Sequence, residues 1–199
     1  MPPALNLSTI PHAVGAALAS KIRGEDRIFV AVFGDGACEE GVYHESLNFA
    51  SLHNLPVLFL CENNGWAVHT SLADRQSFRL LDHAKSYDIE AVQVKEGYDF
   101  VKVSQVTGEV IAKMRRTQRP MLLEIMTARY KEHVGPGEDF HAGYRDIAVI
   151  NEWKDRDPLV TDKVLRAELT PELAAEIEST VAFAESSPVP GIDDLLTDI

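Results

Sequence analysis

Four short and almost entirely apolar runs place the strongest constraint on how this chain can fold. They read RIFVAVF (27–33), LPVLFLC (55–61), IEAVQVK (89–95) and MLLEIMTA (121–128). Turn-forming residues bound the first two runs, and their continuous apolar character is typical of parallel strands buried on both faces. Helix-like segments separate the runs. The pattern therefore predicts a three-layer α/β fold with a mostly parallel sheet of at least four strands.

The segments beside these runs carry helical patterns. Residues 11–23 (PHAVGAALASKIR) are rich in Ala and precede Gly24, which predicts a closely packed helix with a glycine C-cap. A crossover helix fits within residues 98–116. Near the C-terminus, Thr170 and Pro171 predict the N-cap and first turn of a further helix.

The chain has 199 residues and a hydrophobic content of 45%, which is enough for one good core. We expect an α/β domain over residues 1–150 and a C-terminal helical tail over residues 151–199 that packs on the same domain. The polar stretch RYKEHVGPGEDFHAGYRD (129–146) is too long and irregular for a simple connector in a compact domain. It predicts a functional loop.

Charge and cysteine content narrow the class of protein. The formal net charge is −12, which argues against a nucleic acid or an anionic membrane surface as partner. The sequence shows neither a secretory signal nor a run long enough to span a membrane. Cys38 and Cys61 are too few for a disulfide scaffold and form no CxxC pair, so we expect an intracellular, cytoplasmic protein.

The segment GDGACEEG (34–41) follows the first predicted strand directly, at the strand end where open α/β sheets bind ligands. A phosphate loop, a metal site and an ordinary tight turn are the competing interpretations. A Walker loop requires a lysine and a hydroxyl after its last glycine, whereas Val42 and Tyr43 follow Gly41. A dinucleotide fingerprint requires a glycine or alanine where Glu39 stands. Both of these phosphate loops are therefore disfavoured.

A second polar segment, CENNGW (61–66), follows the next predicted strand. If a right-handed crossover places the two strands side by side, Asp35 and Asn64 meet at one edge of the sheet. A carboxylate and an amide oxygen suit Mg²⁺, which also takes phosphate oxygens from its ligand, and the following helix N-terminus would help to hold that phosphate. Each motif alone is common in turns, so an ordinary turn remains the alternative for each. Their combination is more specific.

The combined pattern GDGACEEG…ENN resembles the thiamine-diphosphate motif. More narrowly, FGDGACEEGVYHESLNFASLHNLPVLFLCENNGWAVHT resembles the alpha subunits of the two-subunit 2-oxo acid dehydrogenase family, which includes pyruvate, branched-chain and acetoin dehydrogenases. KIRGEDR before it and FAESSPVPGIDDLLTDI at the end are similar to the same family, so the resemblance covers nearly the whole chain. It implies a thiamine-diphosphate-binding, transketolase-like fold.

The resemblance also implies a set of cofactor-binding residues. Asp35 and Asn64 are expected to bind Mg²⁺ through their side chains, and Trp66 through its main-chain carbonyl. Three residues of the first motif are expected to approach the cofactor diphosphate: Gly34, Gly36 and Ala37.

Two residues of the polar loop match family positions as well. His133 in YKEHVGP matches the histidine that lies over the cofactor diphosphate at the entrance used by lipoyl groups, and we expect it to serve in catalysis and cofactor binding. Arg145 in GYR aligns with an arginine of the same loop and is an expected cofactor contact. Without the resemblance, a solvated loop residue and a surface ion pair would be the favoured interpretations of these two positions.

Three departures separate this chain from the family pattern. The family's alpha subunits usually have a long N-terminal portion that supplies further diphosphate contacts, and this chain begins about where that portion ends. The glycine-rich turn that meets the aminopyrimidine ring aligns near ALNLS (4–8), which has no glycine. In the loop, Lys131 replaces the usual first histidine, and Val134 replaces the serine that mitochondrial members phosphorylate. Regulation by that phosphorylation is not expected.

The resemblance implies that the chain is one subunit of a two-subunit enzyme whose active site needs both subunits. The alpha-type chain would anchor thiamine diphosphate and Mg²⁺, while a beta-type subunit supplies the carboxylate that activates the aminopyrimidine. The assembled enzyme would decarboxylate a small 2-oxo acid and pass the acyl group to a lipoyl-bearing acyltransferase, and a separate chain would supply the N-terminal portion. The alternatives are a thiamine-dependent biosynthetic ligase or acyl transferase, and a non-catalytic interaction subunit with a degenerate cofactor site.

Overall fold

The fold is described by a computed structural model of residues 5–197, with the backbone alone described at residues 5–7. Ala4, the first residue of the stretch expected near the aminopyrimidine, lies outside these residues. The helices are α1 (Leu5–Ile22), α2 (Gly41–Leu52), α3 (Leu72–Arg75), α4 (Leu80–Ser86), α5 (Phe100–Thr117), α6 (Ile147–Lys154), α7 (Pro158–Thr161) and α8 (Lys163–Ser186). The strands are β1 (Phe29–Gly34), β2 (Val57–Asn63), β3 (Trp66–Ala67), β4 (Thr70–Ser71), β5 (Glu90–Val94) and β6 (Met121–Met126).

Four of these strands form one parallel sheet in the order β1-β2-β6-β5. They coincide with the four apolar runs of the sequence, which confirms the predicted parallel sheet. The predicted crossover helix is α5 between β5 and β6. Strand β6 lies between β2 and β5, so the spatial order differs from the order along the chain. The short strands β3 and β4 form a separate antiparallel hairpin directly after β2.

Helices cover both faces of the sheet, as a three-layer fold requires. On one face, α1, α2 and α4 pack against the sheet around fully buried Phe33, Tyr43 and Phe59. On the other face, Val110 and Met114 of α5 pack against strand residues that point the opposite way. Because adjacent strand residues alternate between faces, β2 contributes Phe59 to the first core and Leu58 to the second. The predicted α/β fold class is confirmed.

Strand β1 differs from its prediction as a strand buried on both faces. It lies at the edge of the sheet, and Val30 and Val32 are 47% and 44% exposed, while Ala31 and Phe33 between and beyond them are buried. The reason is positional: α5 packs over β5 and β6, at the other side of the strand order, and does not cover β1. An apolar run therefore identified the strand but not its place in the sheet.

The first helix, α1, has the predicted glycine C-cap, but it starts earlier in the chain than we predicted. Gly24 adopts a left-handed conformation (φ 71°), and its amide donates to Lys21 O at 3.0 Å, as a glycine C-cap does. The helix begins at Leu5 rather than at Pro11, which lies inside it. Proline lacks an amide hydrogen and costs one helical bond, but packing on the sheet outweighs that loss here.

The chain divides into two compact units, one that ends at Arg156 and one that begins at Asp157. The second contains α7, α8 and a 3₁₀ turn at Ile192–Leu196. Helix α8 starts at Lys163 and passes through Pro171, so the predicted start at Thr170 is wrong. Asp162 caps the helix earlier, because its carboxylate accepts from the amides of Val164 and Leu165 at 3.0 and 2.9 Å. The packing of the tail on the first domain stays a prediction.

Across residues 5–197, no helix is both long enough and apolar enough to cross a bilayer.

Candidate functional site

The two polar motifs meet at one edge of the sheet. Strands β1 and β2 are parallel neighbours, with Gly34 paired to Glu62, so the turns that follow them leave the sheet side by side. The Asn64 amide donates to Asp35 Oδ1 at 3.3 Å. The predicted meeting of Asp35 and Asn64 is therefore confirmed, and its cause is the one expected: carboxyl ends of adjacent parallel strands share an edge.

Asp35 lies in a tight turn and is only 2% exposed. A 3₁₀ turn spans Asp35–Glu39, and α2 begins only at Gly41, so the α-helix N-terminus lies farther from the GDG segment than we expected. Gly36 has a steric reason to be glycine, because a Cβ there would come within 3.0 Å of Ala67 Cβ on the β3–β4 hairpin. The turn and the hairpin thus pack together at Gly36. Gly34 and Ala37 flank Asp35 and Gly36 in the chain.

The turn after β2 orders its polar groups through its own backbone. Asn64 Oδ1 accepts from the Trp66 amide at 2.9 Å, and Asn63 Oδ1 accepts from the Gly65 amide at 2.9 Å. Asn63 points into the core, where its Nδ2 donates to Glu124 Oε1 at 2.7 Å. Of the two adjacent asparagines, Asn63 therefore anchors the turn to β6, while Asn64 is the one beside Asp35.

Arg75, at the end of α3, contacts Asp35 directly, and our sequence reasoning did not single it out. Its Nη2 donates to Asp35 Oδ2 and its Nη1 donates to Glu39 Oε1, and its side chain is 10% exposed. Because Arg75 lies on a separate short helix 40 residues after Asp35, no local pattern indicates the pair. A cationic group already faces the carboxylate at the centre of the candidate site.

The donors present suit a magnesium ion coordinated partly by its ligand. The Asp35 carboxylate, the Asn64 amide oxygen and the Trp66 carbonyl are hard oxygen donors, which Mg²⁺ prefers. The Arg75 guanidinium already pairs with this carboxylate, so a cation bound by Asp35 would have to share or replace that contact. In the described part of the chain, no three His, Cys, Asp or Glu side chains form a metal-binding group. A cation here would depend on amide, backbone and ligand oxygens.

Arg129 is a second residue that the sequence did not reveal. It follows β6 and donates through Nη2 to Val68 O at 3.1 Å and to Tyr144 Oη at 2.6 Å. Its Nε and Nη1 are buried and have no hydrogen-bond partner among the residues that the structure describes. Buried donors without partners are costly unless a ligand or water accepts from them. Arg129 contacts the hairpin that packs against Gly36, and its unpaired donors there indicate a place for an anionic group.

The polar loop after β6 is held together by Arg145. This side chain is buried, and its Nε donates to Asp139 Oδ1 at 2.9 Å. Its Nη2 donates to the Lys131 carbonyl at 2.8 Å and its Nη1 to the Arg129 carbonyl. Arg145 thus joins both ends of the loop through a buried ion pair and main-chain contacts. Its direct contact with a cofactor stays a prediction.

Asp139 is the carboxylate at the centre of this loop. Burial raises the pKa of Asp139, but hydrogen bonds from Tyr144 and Arg145 and the positive charges of Arg145 and Arg129 outweigh burial, and the pKa lies below its ordinary value. The Tyr144 ring packs edge-on against Trp66 and His69, with centroid distances of 5.2 and 4.8 Å. The loop therefore rests on the β3–β4 hairpin, beside the Asp35 turn.

His133 lies in the same loop, partly buried. Burial lowers its pKa most, and the positive charge of Arg129 and the imidazole of His69 lower it further. All three influences disfavour the imidazolium ion. The lowered pKa favours the neutral imidazole, in which one nitrogen donates and the other accepts a hydrogen bond.

We expect Arg129→Gln to raise the pKa of His133 without bringing it to the ordinary value near 6.5. The substitution removes the charge of Arg129 but leaves burial, the largest cause, in place. Titration of the His133 ring signals by NMR measures the shift. Arg119→Gln, which removes an arginine that pairs with Asp88, is the control and leaves the titration unchanged. A wild-type His133 that titrates at or above pH 6.5 contradicts this electrostatic description.

Comparisons with known proteins agree on one family. The model of the dehydrogenase E1 component family matches residues 3–193. The chain is 37% identical to the alpha subunit of acetoin:2,6-dichlorophenolindophenol oxidoreductase from Cupriavidus necator, over 95% of this chain and 60% of the relative. It is 36% identical to the 2-oxoisovalerate dehydrogenase alpha subunit of Bacillus subtilis, over 86% of this chain and 51% of the relative.

A plant relative shows the same partial coverage. The chain is 34% identical to the chloroplastic pyruvate dehydrogenase E1 component subunit alpha-3 of Arabidopsis thaliana, over 96% of this chain and 48% of the relative. The chain thus spans between about half and 60% of the length of these curated relatives.

Proposed function

The chain belongs to the dehydrogenase E1 component family, and on this premise we propose that it is an alpha-type subunit of a thiamine-diphosphate-dependent 2-oxo acid dehydrogenase. The assembled enzyme decarboxylates a small 2-oxo acid and transfers the acyl group to a lipoyl acceptor. Two of these relatives carry the names of pyruvate and 2-oxoisovalerate enzymes, and the third is named for acetoin, a hydroxyketone without a carboxylate. The 2-oxo acid class is therefore our proposal, and the names single out no member of it.

The meeting of Asp35 and Asn64 at the end of two adjacent strands is the observation that carries this proposal. Asp35 and Asn64 bind Mg²⁺ through their side chains, and Trp66 binds it through its carbonyl. Three residues of the tight turn approach the diphosphate: Gly34, Gly36 and Ala37. A Cβ at Gly36 would lie 3.0 Å from Ala67 Cβ, so a side chain at this position would push the hairpin away from the turn.

Arg129 extends the proposed diphosphate site. Its two buried, unpaired donors match the need of a phosphate for hydrogen-bond donors and positive charge. His133, as a neutral imidazole beside Arg129, hydrogen-bonds the cofactor and serves in catalysis at the entrance to the site. Arg145 contributes as a cofactor-binding residue chiefly through the loop that it holds in shape, since its guanidinium already donates to Asp139 and to two carbonyls.

Bound thiamine diphosphate supplies the electron sink for decarboxylation. The role of this chain is to anchor the diphosphate and the cation and to keep the loop in place over them. A beta-type subunit supplies the carboxylate that activates the aminopyrimidine, so the active site is shared between chains. A separate chain, or a further part of a longer chain, supplies the portion that relatives have beyond this length, and a lipoyl-bearing acyltransferase accepts the acyl group. We propose the cytoplasm as its location.

Reconstitution with a beta-type chain tests the proposed function. The mixture is given thiamine diphosphate, Mg²⁺ and pyruvate or 2-oxoisovalerate, with 2,6-dichlorophenolindophenol as an artificial electron acceptor. We expect carbon dioxide release and dye reduction that require both chains and that Asp35→Ala abolishes. Absence of turnover in the full assembly contradicts the proposal. Product analysis with and without a lipoyl domain separates acyl transfer to lipoate from ligation to a carbonyl acceptor.

A further inference from the structure

Arg75 connects two carboxylates of the Asp35 turn. Its Nη2 donates to Asp35 and its Nη1 to Glu39, while its Nε lies 3.4 Å from the Thr70 carbonyl. The planar guanidinium presents these donors in a rigid fork, so one side chain serves both acids at once. Asp35 and Glu39 lie at opposite ends of the same 3₁₀ turn. Arg75 therefore fastens the hairpin side of the site to the turn that we propose binds the cation.

Burial makes a positive charge at this position a requirement. The Asp35 side chain is 3% exposed, and its remaining described hydrogen bond is the 3.3 Å contact from the Asn64 amide. A buried carboxylate without a cationic partner is strongly destabilising. Asp35 therefore needs a positively charged partner both before and after a cofactor binds. In the cofactor-free protein that group is Arg75, which cannot lose its proton to make room.

We propose that Arg75 is the counter-ion of Asp35 in the cation-free site, and that a divalent cation displaces the Arg75 guanidinium from Asp35 when it binds. This inference rests on the proposed function, because it takes Asp35 as a cation ligand. Displacement does not leave Arg75 unpaired, since Glu39 is 27% exposed and can keep the guanidinium after it leaves Asp35. Arg75 is the last residue of the four-residue helix α3, so its side chain can swing without breaking a long helix.

The consequence is that cation binding competes with an internal ion pair. The cation must break the contact between Arg75 and Asp35, and the measured affinity is lower than the intrinsic affinity of the oxygen ligands. Arg75→Gln removes the competitor and takes from Asp35 and Glu39 the cationic partner that they share. It should therefore bind the cation more tightly than wild type and be less stable than wild type when no cation is present.

Manganese titration in the presence of thiamine diphosphate tests this competition. Mn²⁺, which takes the same oxygen ligands as Mg²⁺, is followed by electron paramagnetic resonance in the full chain assembled with its beta-type subunit. We expect Arg75→Gln to bind Mn²⁺ about tenfold more tightly, which corresponds to about 1.4 kcal/mol. Its melting temperature without metal falls below that of wild type, and Mg²⁺ raises it by more than it raises that of wild type.

Three further variants make the outcome decisive. Arg79→Gln removes a nearby but exposed arginine and leaves Mn²⁺ affinity unchanged. Arg75→Lys keeps the positive charge, but an ammonium cannot bind both carboxylates as the planar guanidinium does, so the Mn²⁺ affinity of this variant lies between those of wild type and Arg75→Gln. Arg75→Lys replaces Arg75→Gln in the test if Arg75→Gln does not fold. Asp35→Asn removes Mn²⁺ binding in every background.

The possible failures are distinct. If wild type binds Mn²⁺ through Asp35 and Arg75→Gln and Arg75→Lys bind it equally or more weakly, Arg75 is not a competitor and the inference is overturned, while the proposed function stands. If wild type, Arg75→Gln and Arg75→Lys all take up no Mn²⁺ with thiamine diphosphate, Arg75 is the permanent partner of Asp35. That result contradicts the proposed cofactor site together with the inference, and favours a non-catalytic subunit.

Discussion

Asp35→Ala is expected to lower the affinity for thiamine diphosphate in the presence of Mg²⁺ by more than about 100-fold, because even outer-sphere partners of metal ligands typically contribute tenfold to 100-fold. Asp35 is the one carboxylate in the proposed ligand set, and the other two ligands are neutral oxygens. In the proposed site the cation would help to hold the diphosphate, so loss of the cation would weaken both interactions together. The fold should survive, because Arg75 keeps its pairing with Glu39.

Calorimetric titration of thiamine diphosphate into the chain, alone and with a beta-type subunit, measures this loss. Asp74→Ala is a matched control, since Asp74 is an exposed carboxylate next to Arg75 whose described contact is with Ser71 Oγ at 2.6 Å. The control should bind as wild type does. Affinity in Asp35→Ala within a few-fold of wild type would show that Asp35 does not hold the cation. A wild-type chain that binds no cofactor in either preparation would contradict the proposed function itself.

Arg145→Ala is expected to lower the free energy of unfolding by about 3 to 5 kcal/mol, the range typical when one partner of a buried ion pair is removed. The substitution leaves the Asp139 carboxylate buried with Tyr144 and Arg129 as its remaining donors. It also removes the donors to the carbonyls of Arg129 and Lys131, so the two ends of the loop lose their connection.

Urea unfolding followed by tryptophan fluorescence measures the change, because Trp66 packs against Tyr144 of the same loop. Arg115→Ala, an exposed arginine on α5, is the control and should change stability by less than about 0.5 kcal/mol. Cofactor affinity is measured alongside. If Arg145→Ala keeps wild-type stability but loses cofactor affinity, Arg145 contacts the cofactor directly and its structural role is wrong.

Several features of the fold could be predicted because they depend on short-range pattern. The four apolar runs identified the four sheet strands, and the glycine after α1 identified its C-cap. The start of α8 was missed because two signals compete there: Thr170 and Pro171 look like a helix start, yet Asp162 caps the helix eight residues earlier. A proline inside a helix is disfavoured but not forbidden, so local propensity alone chose the wrong cap.

The candidate site was only partly accessible to the same reasoning. The family resemblance indicated the loop residues His133 and Arg145, but not that Arg145 is buried against Asp139. In the sequence Arg129 was one more charged loop residue. Its importance depends on two buried donors that find no partner within the described part of the chain.

The sequence by itself determined the parallel α/β fold, the family, and the meeting of Asp35 with Asn64. Each depends on residues close together in the chain or on two consecutive strands, whose carboxyl ends share an edge of the sheet when the strands are parallel. Only the tertiary structure decided that β6 lies between β2 and β5, that β1 is an exposed edge, and that Arg75 faces Asp35. These features depend on how distant segments pack and on which buried charge needs a partner, and neither leaves a local pattern in the sequence.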